Sequence, residues 1–393
     1  MKDWMAKDAN YIMPTYPRHP LLAVRGDGFK VWDEKGKEYL DFFSGISVCN
    51  LGHCRPAVVK ATEEQINRLF HICNLYYTIP QIEVAELLVK HSFADKVFFC
   101  NSGAEANEAA IKLARIWGKQ FSPPRYKIIT MKGSFHGRTL ATLTATGQEK
   151  VKKGFEPLPE GFVHVPFDNI HALKKAIDKE TCAVMLEPIQ GEGGIIVPSP
   201  DYLKKVKALC KEHGLLLVLD EIQTGMGRTG YLFAYEHESV KPDILTLAKS
   251  LANGLPIGAM LATDEIAEFF SKGTHATTFG GNPVACAAAK VVVKTLVETD
   301  ILDHCKQVGH FFKQQLEKLN ERHKVIKEVR GRGLMLAVEL NIPAAPIVAA
   351  CLEKGYLINA VQEKVLRFLP PLTITREPIS SFVSTLDEVL EKS

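Results

Sequence analysis

Leu215-Leu-Leu-Val-Leu-Asp220-Glu221 sets a run of apolar residues directly before two carboxylates. Such a run, too short for a helix, reads as a strand buried on both faces. Four other short apolar runs resemble it: Val97–Cys100, Lys127–Met131, Ala183–Leu186 and Ile244–Leu247, and Ile257–Thr263 offers one more strand. Between them lie segments of helical period, among them 105–118, 170–179 and 202–212. Strands alternating with helices predict an α/β fold whose large domain carries a mainly parallel sheet covered on both faces. Ligands of such sheets bind outside the carboxyl ends of the strands, and Asp220 stands at one.

Outward from this core the pattern changes. Residues 1–20 read as irregular and Pro-rich, and 21–36 as a short meander of strands and turns. After residue 285 come two long helices, strand-like 333–339 and 365–368, and a closing helix over 380–391. These form a smaller α+β domain. The expected division is 1–55 packing with the small domain, 56–285 as the large domain and 286–393 as the small one, since chain ends often lie close together.

Composition excludes more than it names. A net charge of +3 on 393 residues is no polyanion-binding footprint, so no nucleic-acid partner is expected. No apolar run spans a bilayer, and the charged opening 1–10 lacks a secretory core. The nine cysteines show no C-x-x-C spacing, so no metal site is expected and reduced thiols in a cytoplasmic protein are.

Three further stretches carry chemistry. In Leu245-Thr-Leu-Ala-Lys249-Ser250 a lysine ends an apolar run. Most lysines there snorkel to solvent, but a desolvated one can form a Schiff base. A lysine and an aspartate at neighbouring strand ends suit pyridoxal phosphate, whose aldehyde needs an amine and whose ring nitrogen needs an acid partner. Asn101-Ser-Gly-Ala-Glu105 opens a helix with capping-box spacing and leaves backbone N–H groups free for a phosphate. Gly225-Met-Gly227-Arg-Thr-Gly230 matches G-x-G-x-x-G in form only: it neither follows a strand directly nor opens a helix, so it reads as a tight loop.

Ser102-Gly-Ala, Phe135-His-Gly-Arg138-Thr, Glu187-Pro-Ile-Gln-Gly-Glu192, Leu219-Asp-Glu-Ile-Gln223, Ala248-Lys249-Ser and Thr277-Thr278-Phe-Gly-Gly-Asn-Pro283 occur in this order. Together they resemble the class III pyridoxal-phosphate aminotransferases, over nearly the whole chain. The resemblance implies a fold-type-I homodimer with its sites at the subunit interface. It implies that Lys249 holds the cofactor as a Schiff base and later carries a proton. Asp220 pairs with the ring nitrogen, Gln223 with the phenolic oxygen, and Phe135 stacks on the ring. Ser102, Gly103 and Ala104 cradle the phosphate, and Thr278 reaches the phosphate of the neighbouring subunit. Arg367 takes the α-carboxylate of glutamate and 2-oxoglutarate, and Arg138 the carboxylate of the other substrate. Glu187 is expected to mask Arg367 while an ω-amine donor is bound. Tyr16 is expected to line the acyl end.

The activity so implied is transfer of the δ-amino group of N2-acetylornithine to 2-oxoglutarate, a step of arginine biosynthesis. Free ornithine is disfavoured because Ile46 supplies no partner for an α-ammonium, where ornithine-specific relatives have a tyrosine. Succinyl-diaminopimelate and 4-aminobutyrate remain alternative donors, and a same-fold mutase the alternative reaction.

Overall fold

Seven strands pair into one sheet in the computed structural model, which describes residues 1–392. The order is Lys96–Cys100, Gly258–Ala262, Ile244–Leu247, Leu216–Asp220, Thr181–Leu186, Lys127–Met131, Phe162–Val165. Gly258–Ala262 runs antiparallel to both neighbours, and all other pairs are parallel. Every residue of the three central strands is buried, which explains their mainly apolar character. The helix Gly103–Gly118 covers one face with a stripe of alanines, Leu113 and Trp117.

Two smaller sheets complete the fold. Ala23–Asp27, Lys30–Asp33 and Glu38–Asp41 form an antiparallel meander, and Tyr356–Leu357 pairs parallel to its last strand. Residues from both ends of the chain thus share one sheet. Ile326–Arg332, Met335–Leu340, Val365–Phe368 and Asn359–Val361 form an antiparallel sheet that carries Arg367. One expectation fails at the start: residues 2–11 are helical, not irregular. The large apolar residues of this helix, Trp4, Met5 and Tyr11, are exposed, and a Lys7–Asp3 pair at 3.0 Å spans one of its turns.

The turn after the meander is fixed by Asp41. Its Oδ1 accepts from the backbone N–H of Phe43 and Ser44, and its Oδ2 lies 2.7 Å from His53 Nε2. Bonding to Asp41, with Cys49 adding, raises the His53 pKa from 6.5 to about 10 against the opposing effect of burial. A raised histidine stabilises the fold fully below its unfolded value and loses that contribution as pH climbs through its folded one. The thermal midpoint is therefore expected to fall between pH 6.5 and about 10. His53→Gln should flatten that part of the curve, and a parallel slope in the variant would refute the assignment.

Candidate active site

A cavity of about 400 Å³ opens at the carboxyl ends of the central strands. Asp220, the last residue of Leu216–Asp220, forms part of its wall and is 3% exposed. The sheet cannot satisfy a buried carboxylate, so neighbouring elements supply donors. Asn107 Nδ2 donates to Oδ2 at 2.7 Å, His136 Nδ1 lies 2.8 Å from the same oxygen, and Ile222 N donates to Oδ1 at 3.1 Å. Asn107 is itself held: it donates to His136 O and accepts from Thr246 Oγ1, each at 2.7 Å. Asn107 was not among the residues expected here. Its signal in the sequence is a polar residue inside the buried alanine stripe of its helix.

Lys249 follows the strand Ile244–Leu247 by two residues, with φ at +44°. A left-handed lysine costs about 1–2 kcal/mol, and here it begins the short turn Lys249–Ala252 beside the cavity. Burial pulls its pKa below the ordinary lysine value; Glu192 opposes this and Arg367 adds to it. Among the described residues Nζ has no hydrogen-bond partner. A desolvated amine of this kind is a ready nucleophile and base.

The two arginines differ in their surroundings. Arg138 is exposed, lines the cavity and has only a ring contact, 5.6 Å over Phe135. Arg367 is 1% exposed and clamped: Nη1 pairs with Glu192 Oε1 at 2.5 Å, and Nε donates to Asn359 Oδ1 at 3.1 Å. Its partner is thus Glu192, which corrects the expected pairing with Glu187. The chain doubles back between Gln190 and Ile196, carrying Glu192 toward Arg367 and leaving Glu187 behind. Burial pushes the Glu192 carboxyl up, but Arg367 and Lys249 outweigh it and hold it below the usual range. Glu187 instead accepts from the N–H of Phe135 and of Gly191, each at 3.0 Å, and burial raises its pKa to about 7.

Ser102, Gly103, Ala104, Phe135 and Gln223 all line the same cavity. Ser102 caps the helix by accepting from Glu105 N at 3.2 Å, while the Glu105 carboxylate reaches one residue further back, to Asn101 N. Gly103 has no room for a side chain, since a Cβ would lie 2.8 Å from Ile222 Cδ1. Two expected residues are not brought here. Thr278 lies in a separate groove with Asn74 and Gln81. Tyr16 is 72% exposed and does not line the cavity of its own chain.

Residues 11–390 match the family model for class-III aminotransferase. The chain belongs to the class-III aminotransferases. It is 52% identical to the acetylornithine aminotransferase of Caldanaerobacter subterraneus, covering 98% of each chain. It is 51% identical to that of Methanocaldococcus jannaschii, over 99% of this chain and 98% of the relative. Among solved structures it resembles the ornithine aminotransferase of Toxoplasma gondii (TM-score 0.96, 36% identity, 100% and 95% coverage). It also resembles the acetylornithine aminotransferase of Elizabethkingia anophelis (TM-score 0.89, 33% identity, 100% and 99% coverage). Pyridoxal 5'-phosphate is the cofactor of this family, and the cavity fits it. It offers an unpartnered buried amine at Lys249, a pre-oriented carboxylate at Asp220 and a capped helix start at Ser102.

Proposed function

We propose that this enzyme moves the δ-amino group of N2-acetylornithine to 2-oxoglutarate, giving N-acetylglutamate 5-semialdehyde and glutamate. The observation that carries the reading is the asymmetry between the two arginines: Arg138 has no carboxylate partner among the described residues, and Arg367 is covered by Glu192. The names of the relatives at 52% and 51% identity support it.

Bound pyridoxal phosphate supplies an aldehyde for exchange with amines and a ring that accepts electrons from a carbanion. The chain supplies the rest. Asp220 keeps a negative charge beside the ring nitrogen. Lys249 Nζ takes the proton from the donor's δ-carbon and delivers it across the cavity. Arg138 holds the α-carboxylate of acetylornithine in bidentate fashion. With Glu192 on Arg367, no uncovered cation meets the incoming δ-amine. Glutamate's α-carboxylate then replaces Glu192 on Arg367, so the buried guanidinium never lacks an anion. Ile46, packed against the apolar cluster that contains Ile189 and Ile195, supplies no partner for a free α-ammonium, which favours the acylated donor.

Glu192→Gln should shift the ratio of the two half-reactions toward glutamate by ~10-fold, equivalent to about 1.4 kcal/mol. An uncovered Arg367 repels the δ-amine but welcomes an α-carboxylate. Equal loss in both half-reactions, measured by single-turnover absorbance, would count against this role. The donor is tested by running N-acetylornithine, succinyl-diaminopimelate, ornithine and 4-aminobutyrate in parallel. A higher kcat/KM for either of the last two overturns the assignment.

The reading includes a homodimer in the cytoplasm. Leu75, Tyr77, Ile79 and Phe279 are 59% or more exposed, and Asn74 ties their segment to the Thr278 loop through Gly280 O at 2.9 Å. A second copy seated there buries this apolar surface and brings Thr278 toward the partner's phosphate. The nine cysteines are all free and six are buried, in keeping with a reducing compartment. No described helix is long and apolar enough to cross a membrane.

A further inference from the structure

The loop Gly225-Met-Gly227-Arg228-Thr-Gly230 plays no part in the chemistry above, yet it is tightly organised. Gly225 N donates to Glu221 O at 2.9 Å and Gly230 N to Gly227 O at 3.0 Å, so the segment folds as linked turns. Gly227 has φ +89°, and a Cβ there would lie 2.8 Å from Leu372. The loop is pressed against the segment that leaves Arg367.

At its centre Arg228 is fully buried and, among the described residues, hydrogen-bonds no carboxylate, although the charge of Asp41 acts on it from beyond ion-pair distance. Its donors go to neutral oxygens from three parts of the chain. Nε donates to Ser47 Oγ at 2.9 Å, Nη1 to Leu334 O at 2.9 Å and Pro370 O at 2.6 Å, and Nη2 to Asn50 Oδ1 at 2.5 Å. Burial lowers its pKa to about 10, which leaves it charged at neutral pH. A buried cation held by neutral acceptors is a poor way to gain stability, because an apolar side chain of similar volume does as well or better. What the guanidinium provides is a fixed fork of donors.

Two of the acceptors, Ser47 and Pro370, lie close in sequence to residues of the site. Pro370 is three residues beyond Arg367. Ser47 precedes the cavity residue Val48, and its Oγ also lies 3.4 Å from Gln223 O. Asn50 Nδ2 donates to Met226 O at 3.0 Å, within the loop itself. Gln223 in turn accepts from Arg367 Nη1 at 3.4 Å. We propose that Arg228 is a positioning residue that holds Arg367 in register with Gln223 and Glu192, and thereby sets recognition of the α-carboxylate of glutamate and 2-oxoglutarate. This rests on the role given to Arg367 under the proposed function.

The test uses the cofactor-loaded full chain carrying Arg228→Met or Arg228→Lys. The Met variant should raise KM for 2-oxoglutarate and glutamate ~10-fold while changing that for N-acetylornithine less than ~3-fold. The Lys variant, which keeps the charge and part of the donor set, should recover part of the loss. Binding of glutarate, an inert dicarboxylate, measured by calorimetry, should weaken in parallel. Equal change toward both substrates, or no change in a folded variant, overturns the proposal. Should Arg228→Met not fold, Ser47→Ala removes one acceptor and should move the glutamate constants the same way by ~2–5-fold; unmoved constants there overturn it equally. Failure of the parent enzyme to use N-acetylornithine would strike the donor assignment alone, since glutarate affinity still reports on Arg228.

Discussion

Lys249→Ala is expected to cut turnover by at least ~10³-fold while leaving the protein folded and able to take up the cofactor. The reason lies in how little else Lys249 does. Its Nζ has no hydrogen-bond partner among the described residues, so truncation strands no other polar group. The phosphate-facing helix start at Ser102 and the carboxylate of Asp220 stand on other elements and stay in place. What is lost is the only desolvated amine among the described residues of the cavity wall, and with it the group able to accept and return the substrate proton. The visible absorption of the loaded protein should change band, because the cofactor aldehyde no longer meets an amine of the chain. Added methylamine should restore a small part of the rate by supplying a base of similar strength. A variant that keeps more than a tenth of parental turnover would remove Lys249 from the proton-transfer step.

Legibility in the amino-acid sequence follows burial closely. The central strands are readable because both their faces are covered, so their sequences are predominantly apolar. Phe162–Val165, at the sheet edge and only partly buried, carries His164 in mid-strand and offers no such run. The helix Lys2–Tyr11 is short and only weakly amphipathic, and its Trp4, Met5 and Tyr11 are exposed rather than packed into the core. The positions of Lys249 and Asp220 are legible because Asp220 ends a buried strand and Lys249 follows one by two residues. The partner of Arg367 is not. Glu187 and Glu192 are five residues apart, and which one meets the guanidinium depends on a reversal between Gln190 and Ile196 that spacing does not encode. Asn107 is hidden for the opposite reason: a helix-facing asparagine has meaning only once Asp220 is seen beside it.

Asp220→Asn is expected to lower kcat by ~10²–10³-fold, the loss typical when a preorganised electrostatic partner of developing charge is removed. The substitution is nearly isosteric, so packing in the wall is kept and the effect is one of charge and donor direction. Oδ2 of Asp220 now receives Asn107 Nδ2 at 2.7 Å and faces His136 Nδ1 at 2.8 Å, while Oδ1 takes the N–H of Ile222. An amide placed there can satisfy those donors only with its oxygen, which turns its own NH₂ toward the other side and meets a donor with a donor. The ring nitrogen then loses both its anion and a hydrogen-bond acceptor, and the cofactor withdraws electrons less well from the substrate carbon. Two readouts separate this from simple misfolding. The thermal midpoint should change little, since one buried charge is removed along with its desolvation cost. The absorption of the loaded variant should shift as the ring nitrogen gives up its proton, and Asp220→Glu, which keeps the charge at an altered distance, should fall between parent and Asn. His136→Gln should act in the same direction more weakly, because it removes one of three supports and leaves the carboxylate in place. If Asp220→Asn retained half the parental kcat with an unchanged spectrum, the carboxylate would be a structural cap on the strand end, and the electron-withdrawing state of the ring would have to be maintained by some other group in the cavity.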